Sequence, residues 1–236
     1  MTNPIHQVPS AAAAPLAVIP RFLDRAVKCP LAFPAMTRRL TQRGRERRQQ
    51  LMDFAATRFA EQGYHPTSVA EIVQGLGVGK GVFYWYFSSK EELFFEILRE
   101  AQQDLRRSQQ QAIDGIDDPI RRIELGMKAS MRWSSEHQEL FNLFAFAATE
   151  ERFAPALRKG QEIAVADVMR HVQDGIDRGE IRDADPELFA HAILGVSAHL
   201  ARRFVHERGD DWLDVADGAV AFCLEGLLVP TAITPA

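Results

Sequence analysis

From about residue 42 to residue 228 apolar side chains recur at helical spacing, and the β-branched residues nowhere alternate over a run of strand length. In RERRQQLMDFAATRFAEQGY, Leu51, Phe54, Ala55 and Phe59 fall at i, i+3, i+4 and i+8, one stripe of a helix that Gly63 stops. In HPTSVAEIVQGLG, Thr67 or Ser68 stands at the N-cap. Glu71 lies three residues after Ser68, so a capping box opens a short helix that Gly77 closes. A second short helix is expected from Lys80 to Tyr86, after which SSKEEL caps a long helix running to about Ala112. Residues 117–137, 138–151, 154–179, 185–209 and 211–228 read as further helices, several opening on Asp or Pro and closing on Gly. The predicted fold class is all-α, with about nine helices.

The segment GLGVGKGVFYWYFSSKEEL, Gly75 to Leu93, sets glycines beside a lysine and then five consecutive aromatics. A phosphate-binding loop would need a strand leading in and a Gly-x4-Gly-Lys-Ser/Thr pattern. Here the glycines alternate, Gly81 follows Lys80, and the lead-in is helical, so that reading fails. Two short helices joined by a tight, glycine-containing turn and preceded by a longer helix have the layout of a helix-turn-helix. Phe83 and Phe87, one turn apart, are expected to anchor the second short helix, while Lys80 and Tyr84 form a one-turn pair on another strip.

Charge divides the chain. Residues 1–95 hold 12 Lys/Arg against 7 Asp/Glu, and residues 96–236 hold 16 against 25, so the halves carry +5 and −9. A basic front and an acidic back suggest that the front meets a polyanion. Arg38, Arg39, Arg43, Arg45, Arg47 and Arg48 all lie within eleven residues. No run approaches the roughly 20 apolar residues of a membrane span. Cys29 and Cys223 are far apart and supply no disulfide framework, as in a reducing cytosol, so the expected location is cytoplasmic. Residues 1–37, rich in proline and without periodicity, read as a disordered extension, and Met36 is a candidate start of translation.

Arg45 to Leu93 resembles the DNA-binding domain of TetR-family transcriptional regulators. The resemblance rests on Ala56, Phe59, Gly63, Thr67, Ile72, Gly77, Val78, Gly81, Tyr84, Tyr86, Phe87, Lys90 and Leu93 at fixed spacing. Val73, Gly75 and Gly79 depart from the usual pattern. Gly75 should cost about 1 kcal/mol relative to Ala, while Gly79 is an acceptable N-cap.

The resemblance implies a three-helix helix-turn-helix DNA-binding domain over residues 38–90, a helical ligand-binding and dimerisation domain over 91–230, and a tail over 231–236. By resemblance, Lys80, Gly81, Val82 and Tyr84 face the major groove or its flanking phosphates. Tyr86, Lys90 and Thr67 match positions that hold the sugar-phosphate backbone, and Thr67 and Ser68 begin a helix whose free amides favour a phosphate. Arg45 belongs to a basic arm, Arg38 to Arg48, that makes a second electrostatic contact. Trp85 is read as partly buried support for the recognition helix rather than a base contact.

For the back half, the resemblance implies a homodimer through 186–206 and 211–228 and a pocket among the middle helices. Candidate pocket residues are Met127, Met131, Trp133, Phe141, Phe144, Phe146 and Met169, with His137 and His171 as polar handles. The three phenylalanines of FNLFAF occupy little more than one turn and cannot all face one core. His191, His199 and His206 fall near one face and read as interface or surface residues rather than a metal site. No cofactor is expected. No Glu is followed three residues later by His, and there is no His-Glu-x-x-His or Gly-x-Ser-x-Gly, which argues against an enzyme. The expected function is a sequence-specific regulator, a repressor released from a palindromic double-stranded DNA operator by a small apolar effector. The alternative is an architectural DNA-binding protein without ligand sensing.

Overall fold

The computed structural model describes residues 40–229. The expectations for residues 1–37, for Arg38 and Arg39 and for the tail at 231–236 lie outside the described residues. Nine α-helices are found among the described residues: α1 (Gln42–Gln62), α2 (Val69–Gly75), α3 (Lys80–Tyr86), α4 (Lys90–Ala112), α5 (Pro119–Glu136), α6 (Gln138–Thr149), α7 (Ala154–Asp177), α8 (Pro186–Leu200) and α9 (Trp212–Leu227).

Helix starts follow the local chemistry. Thr41, Ser68, Ser89, Asp118, Asp185 and Asp211 each accept a backbone N–H at an N-cap, and proline occupies the first turn of α5, α7 and α8. The capping box is complete: the Ser68 hydroxyl accepts from the Glu71 amide at 3.2 Å, and the Ser68 amide donates to Glu71 Oε2 at 2.6 Å. Gly63 and Gly77 take φ of 90° and 64°, which a side chain would resist, and so turn the chain into and out of α2.

Gly75 has a packing reason. A Cβ there would lie 2.0 Å from Cζ of Phe54, whose ring covers that end of α2. The departure from the family pattern is therefore the space that lets α1 and α2 close on each other.

The expected single helix over 185–209 divides. After Leu200 the backbone becomes π-helical over Ala201–His206, and π-helical turns of this kind often occur at functional sites. His206 points inward, stacked on Phe141 at 4.3 Å between ring centres, with its Nε2 2.7 Å from Ser134 Oγ. It therefore leaves the face on which sequence spacing put it with His191 and His199, both exposed.

Two apolar cores form. The first joins α1, α2 and α3 to the start of α4, to Leu143 and Ala147 of α6 and to Phe153. The second joins α5, α7, α8 and α9. The FNLFAF segment serves both. Phe146 meets Tyr64 and Phe94 of the first at 5.6 and 5.8 Å, while Phe141 packs against the second.

Candidate functional site

The recognition helix has one inner and one outer side. Phe83 and Phe87 are fully buried, as the sequence predicts, and lie 5.8 Å apart between ring centres. Lys80, Gly81 and Tyr84 are exposed, and Val82 is half-buried against the first core. A Cβ on Gly81 would meet nothing of this chain within 4 Å, so the helix has open space on that side. Trp85 is 48% exposed and Tyr84 56% exposed. Trp85, read as partly buried support, sets its ring edge-on to half-buried Tyr86 at 4.5 Å and also leaves about half its surface outward beside Tyr84.

Two residues expected to hold phosphates turn inward. Thr67 is fully buried, and its hydroxyl donates to the Gly63 carbonyl at 2.8 Å, closing the turn between α1 and α2. That hydroxyl cannot reach a duplex. Lys90 Nζ donates to the carbonyls of Tyr64 and Thr67 at 2.8 Å each and His65 at 3.3 Å, and lies 4.3 Å from the centre of the Tyr64 ring. Burial holds its pKa below the ordinary lysine range. With three acceptors already served, Lys90 ties the start of α4 to the α1–α2 turn instead of offering its charge outward. Ser68 is exposed and caps α2.

The basic run also divides. Arg45 is exposed, with Nη1 on the Leu40 carbonyl and Nη2 on Gln42 Oε1, both at 2.8 Å. Arg48 faces inward. It pairs with Glu96 and, at 2.6 Å, with Glu100, and sits over the Phe87 ring at 5.3 Å, so α1 is fastened to α4 beside the end of α3.

Behind this head, the helical body holds two adjoining, partly open cavities, of about 740 Å³ and about 430 Å³. Arg106, Gln109, Ser130, Ala164, Leu194 and Ser197 stand in the walls of both, which makes them lobes of one space among α4, α5, α7 and α8, with α6 closing the larger. Met131, Trp133, Phe141 and Phe144 line the larger lobe and Met127 the smaller, as expected. Met169 lines neither. Asp167, Val168 and His171 occupy the wall of α7, and Met169 is rotated about 100° past Val168. His171 lines the smaller lobe, whereas His137 caps the end of α5 and stacks on Trp133 at 4.6 Å.

Apart from His171, the polar groups of the cavity escaped the sequence reading. At the shared waist Arg106 grips Asp167 through Nε at 2.6 Å and Nη2 at 3.1 Å, and Gln109 donates to Ser130 Oγ at 2.6 Å. Trp133 Nε1 donates to Asp104 at 2.8 Å, the leading reason that carboxylate stays below its usual pKa range. Gln102, Arg106 and Gln109 recur at i, i+4 and i+7 along α4, and that polar stripe is the signal that could have found this wall.

A buried turn, an exposed aromatic reading helix and a helical body define a helix-turn-helix DNA-binding protein. Residues 51–97 match the family model described as bacterial regulatory proteins, tetR family. The chain is 30% identical over 154 residues to the HTH-type transcriptional repressor KstR2 of Mycobacterium tuberculosis, a match spanning 60% of this chain and 73% of KstR2. It is 27% identical over 188 residues to the HTH-type transcriptional activator FasR of Mycolicibacterium smegmatis, spanning 77% of this chain and 83% of FasR. The solved structure of the ketosteroid transcriptional regulator KstR2 superposes with a TM-score of 0.63 at 25% identity, covering 78% of this chain and 96% of that one. The chain belongs to the TetR family of bacterial transcriptional regulators. It is a DNA-binding regulator, not an enzyme.

Proposed function

We propose that the protein binds a pseudo-palindromic operator as a homodimer and represses transcription until a small apolar effector fills the cavity. The observation that carries the DNA-reading part is the outer face of α3. A seven-residue helix is too short to persist alone, yet it keeps Lys80, Gly81, Tyr84 and Trp85 exposed while Phe83 and Phe87 are fully buried. Lys80 suits guanine O6/N7 or a phosphate, Val82 a thymine methyl, and Gly81 close backbone approach. Arg45, Ser68 and Tyr86 flank that face and suit the sugar-phosphate backbone.

One such head reads a half-site, so two copies are needed for a two-fold site. The expected pairing surface is α8 with α9, where Leu188 and Phe222 are 62% and 67% exposed. Apolar side chains left outward on two adjacent helices favour a second copy.

Effector control follows from α4. Its first residue, Lys90, locks the head, and its later turns, from Phe95 to Gln110, line the cavity. An effector that prefers a shifted α4 would respace the two heads and lower operator affinity, by as much as its affinities for the two states differ.

The test of the reading helix uses the full chain on a duplex selected from random DNA. Lys80→Ala with Tyr84→Ala should abolish the mobility shift while leaving the circular dichroism spectrum unchanged. Unchanged affinity would remove α3 from the interface.

A further inference from the structure

The smaller lobe carries an unbalanced charge. Arg106, Arg122 and Arg170 stand in its wall against Asp167 and Asp174. Asp167 is taken by Arg106 and also pairs with Arg170. Asp174 accepts from Arg178 at 2.9 and 3.0 Å. Arg122 keeps only the two longest ion pairs of the group.

Its Nε donates to the Ile116 carbonyl at 2.5 Å, which fixes the guanidinium plane. Its terminal nitrogens come only to 3.5 Å from Asp174 and 4.0 Å from Asp117, outside hydrogen-bonding distance or geometry among the described residues. Its side chain is 27% exposed, so this is a shielded cation with an unfilled fork.

His171, on the same wall, is half-buried and makes no side-chain hydrogen bond among the described residues. Burial first, then the nearby Arg122 and Arg170, hold its pKa below the ordinary imidazole range. At neutral pH it therefore has one N–H to give.

We propose that this lobe seats the carboxylate of an apolar monocarboxylic acid on Arg122 and His171, with the acid's apolar body in the larger, aromatic lobe. The assignment rests on the effector-released reading above and names the class of effector. A planar carboxylate matches the two terminal N–H groups of a guanidinium held in one plane. With Arg178 and Asp117 included, four arginines face three aspartates, so the local surplus is a single positive charge that a monoanion balances, whereas a phosphate dianion would leave negative charge facing Asp167 and Asp174. The cations in the wall of the larger lobe already have carboxylate partners, Arg99 with Glu96, Arg106 with Asp167 and Lys159 with Glu162, so its free lining is the apolar one of Trp133, Phe141 and Phe144.

The experiment titrates the full-length protein calorimetrically with hexadecanoic acid and hexadecan-1-ol, and with 5β-cholanic acid and its 24-alcohol. In at least one pair the acid is expected to bind at least about tenfold tighter than the alcohol, the range of a charge-assisted hydrogen bond. Arg122→Met should erase that preference while changing alcohol affinity by less than about twofold. Arg122→Lys, which keeps the charge, should keep part of the preference. Thermal unfolding of each variant confirms that it is folded. Equal binding of acid and alcohol, equal loss of both in Arg122→Met, or no binding of either pair overturns the assignment. An acid that binds as expected but leaves operator DNA bound contradicts effector release and leaves the carboxylate site standing.

Discussion

Lys90 donates its ammonium to the backbone carbonyl of Thr67 at 2.8 Å, across 23 residues of sequence. The same ammonium reaches the Tyr64 and His65 carbonyls, so the charge serves the turn between α1 and α2. Lys90→Met should therefore lower stability by about 1–3 kcal/mol, because two partly buried carbonyls, of Tyr64 and Thr67, lose their donor. Urea unfolding measures this. A phosphate contact would show itself differently, as a salt slope of DNA binding reduced by about one charge at unchanged stability. The expected result is lost stability with an unchanged slope.

Gly75 and Phe54 make a second coupled pair. Helix propensity alone says that Gly75→Ala should stabilise α2 by about 1 kcal/mol. The ring of Phe54, 2.0 Å from where the new Cβ would sit, reverses the sign. Overpacking of this kind costs about 1–3 kcal/mol. Adding Phe54→Leu, a smaller and more adaptable side chain, should recover part of the loss, and a double-mutant cycle by thermal unfolding reads the coupling.

Trp85 stands outside the core, so Trp85→Ala should change stability by no more than about 0.5 kcal/mol. Its DNA affinity should fall measurably in a fluorescence-anisotropy titration. A large stability loss with unchanged affinity would leave Trp85 only the supporting role that its sequence context suggests.

His171 and His206 are both half-buried, and burial is the first cause of the lowered pKa of each. Below about pH 6.5 the unfolded chain takes up protons at these positions before the folded protein does. Stability is therefore expected to be full above that pH and to decline as pH falls through the lower folded values. Chemical unfolding at steps from pH 7.5 to 5.5 should show the decline, and His171→Gln with His206→Gln should flatten it.

Much of this was legible in the sequence, because local chemistry decided it. The limits of α3, Lys80–Tyr86, and the Ser68–Glu71 capping box follow from near-neighbour signals and are found as read. Burial of Phe83 and Phe87 follows from their one-turn spacing. What was not legible depends on distant parts of the chain. Lys90 and Thr67 point inward because the α1–α2 turn presents carbonyls to them, and motif matching cannot tell an inward lysine from an outward one. The π-helical turn at Ala201–His206 adds a register change that a 3.6-residue period does not encode. Met169 misses the cavity by one step of its helix, although its composition suited it. Arg122 gains meaning only once Arg178 is seen to hold Asp174.

The central claim is that this chain reads DNA sequence as a two-fold dimer through α3. Selection of bound duplexes from a random pool by the full chain, followed by sequencing, tests it most directly. The account predicts an inverted repeat whose half-sites lie about one helical turn apart, lost in the Lys80→Ala, Tyr84→Ala variant. Binding that enriches no motif and varies only with salt would contradict it.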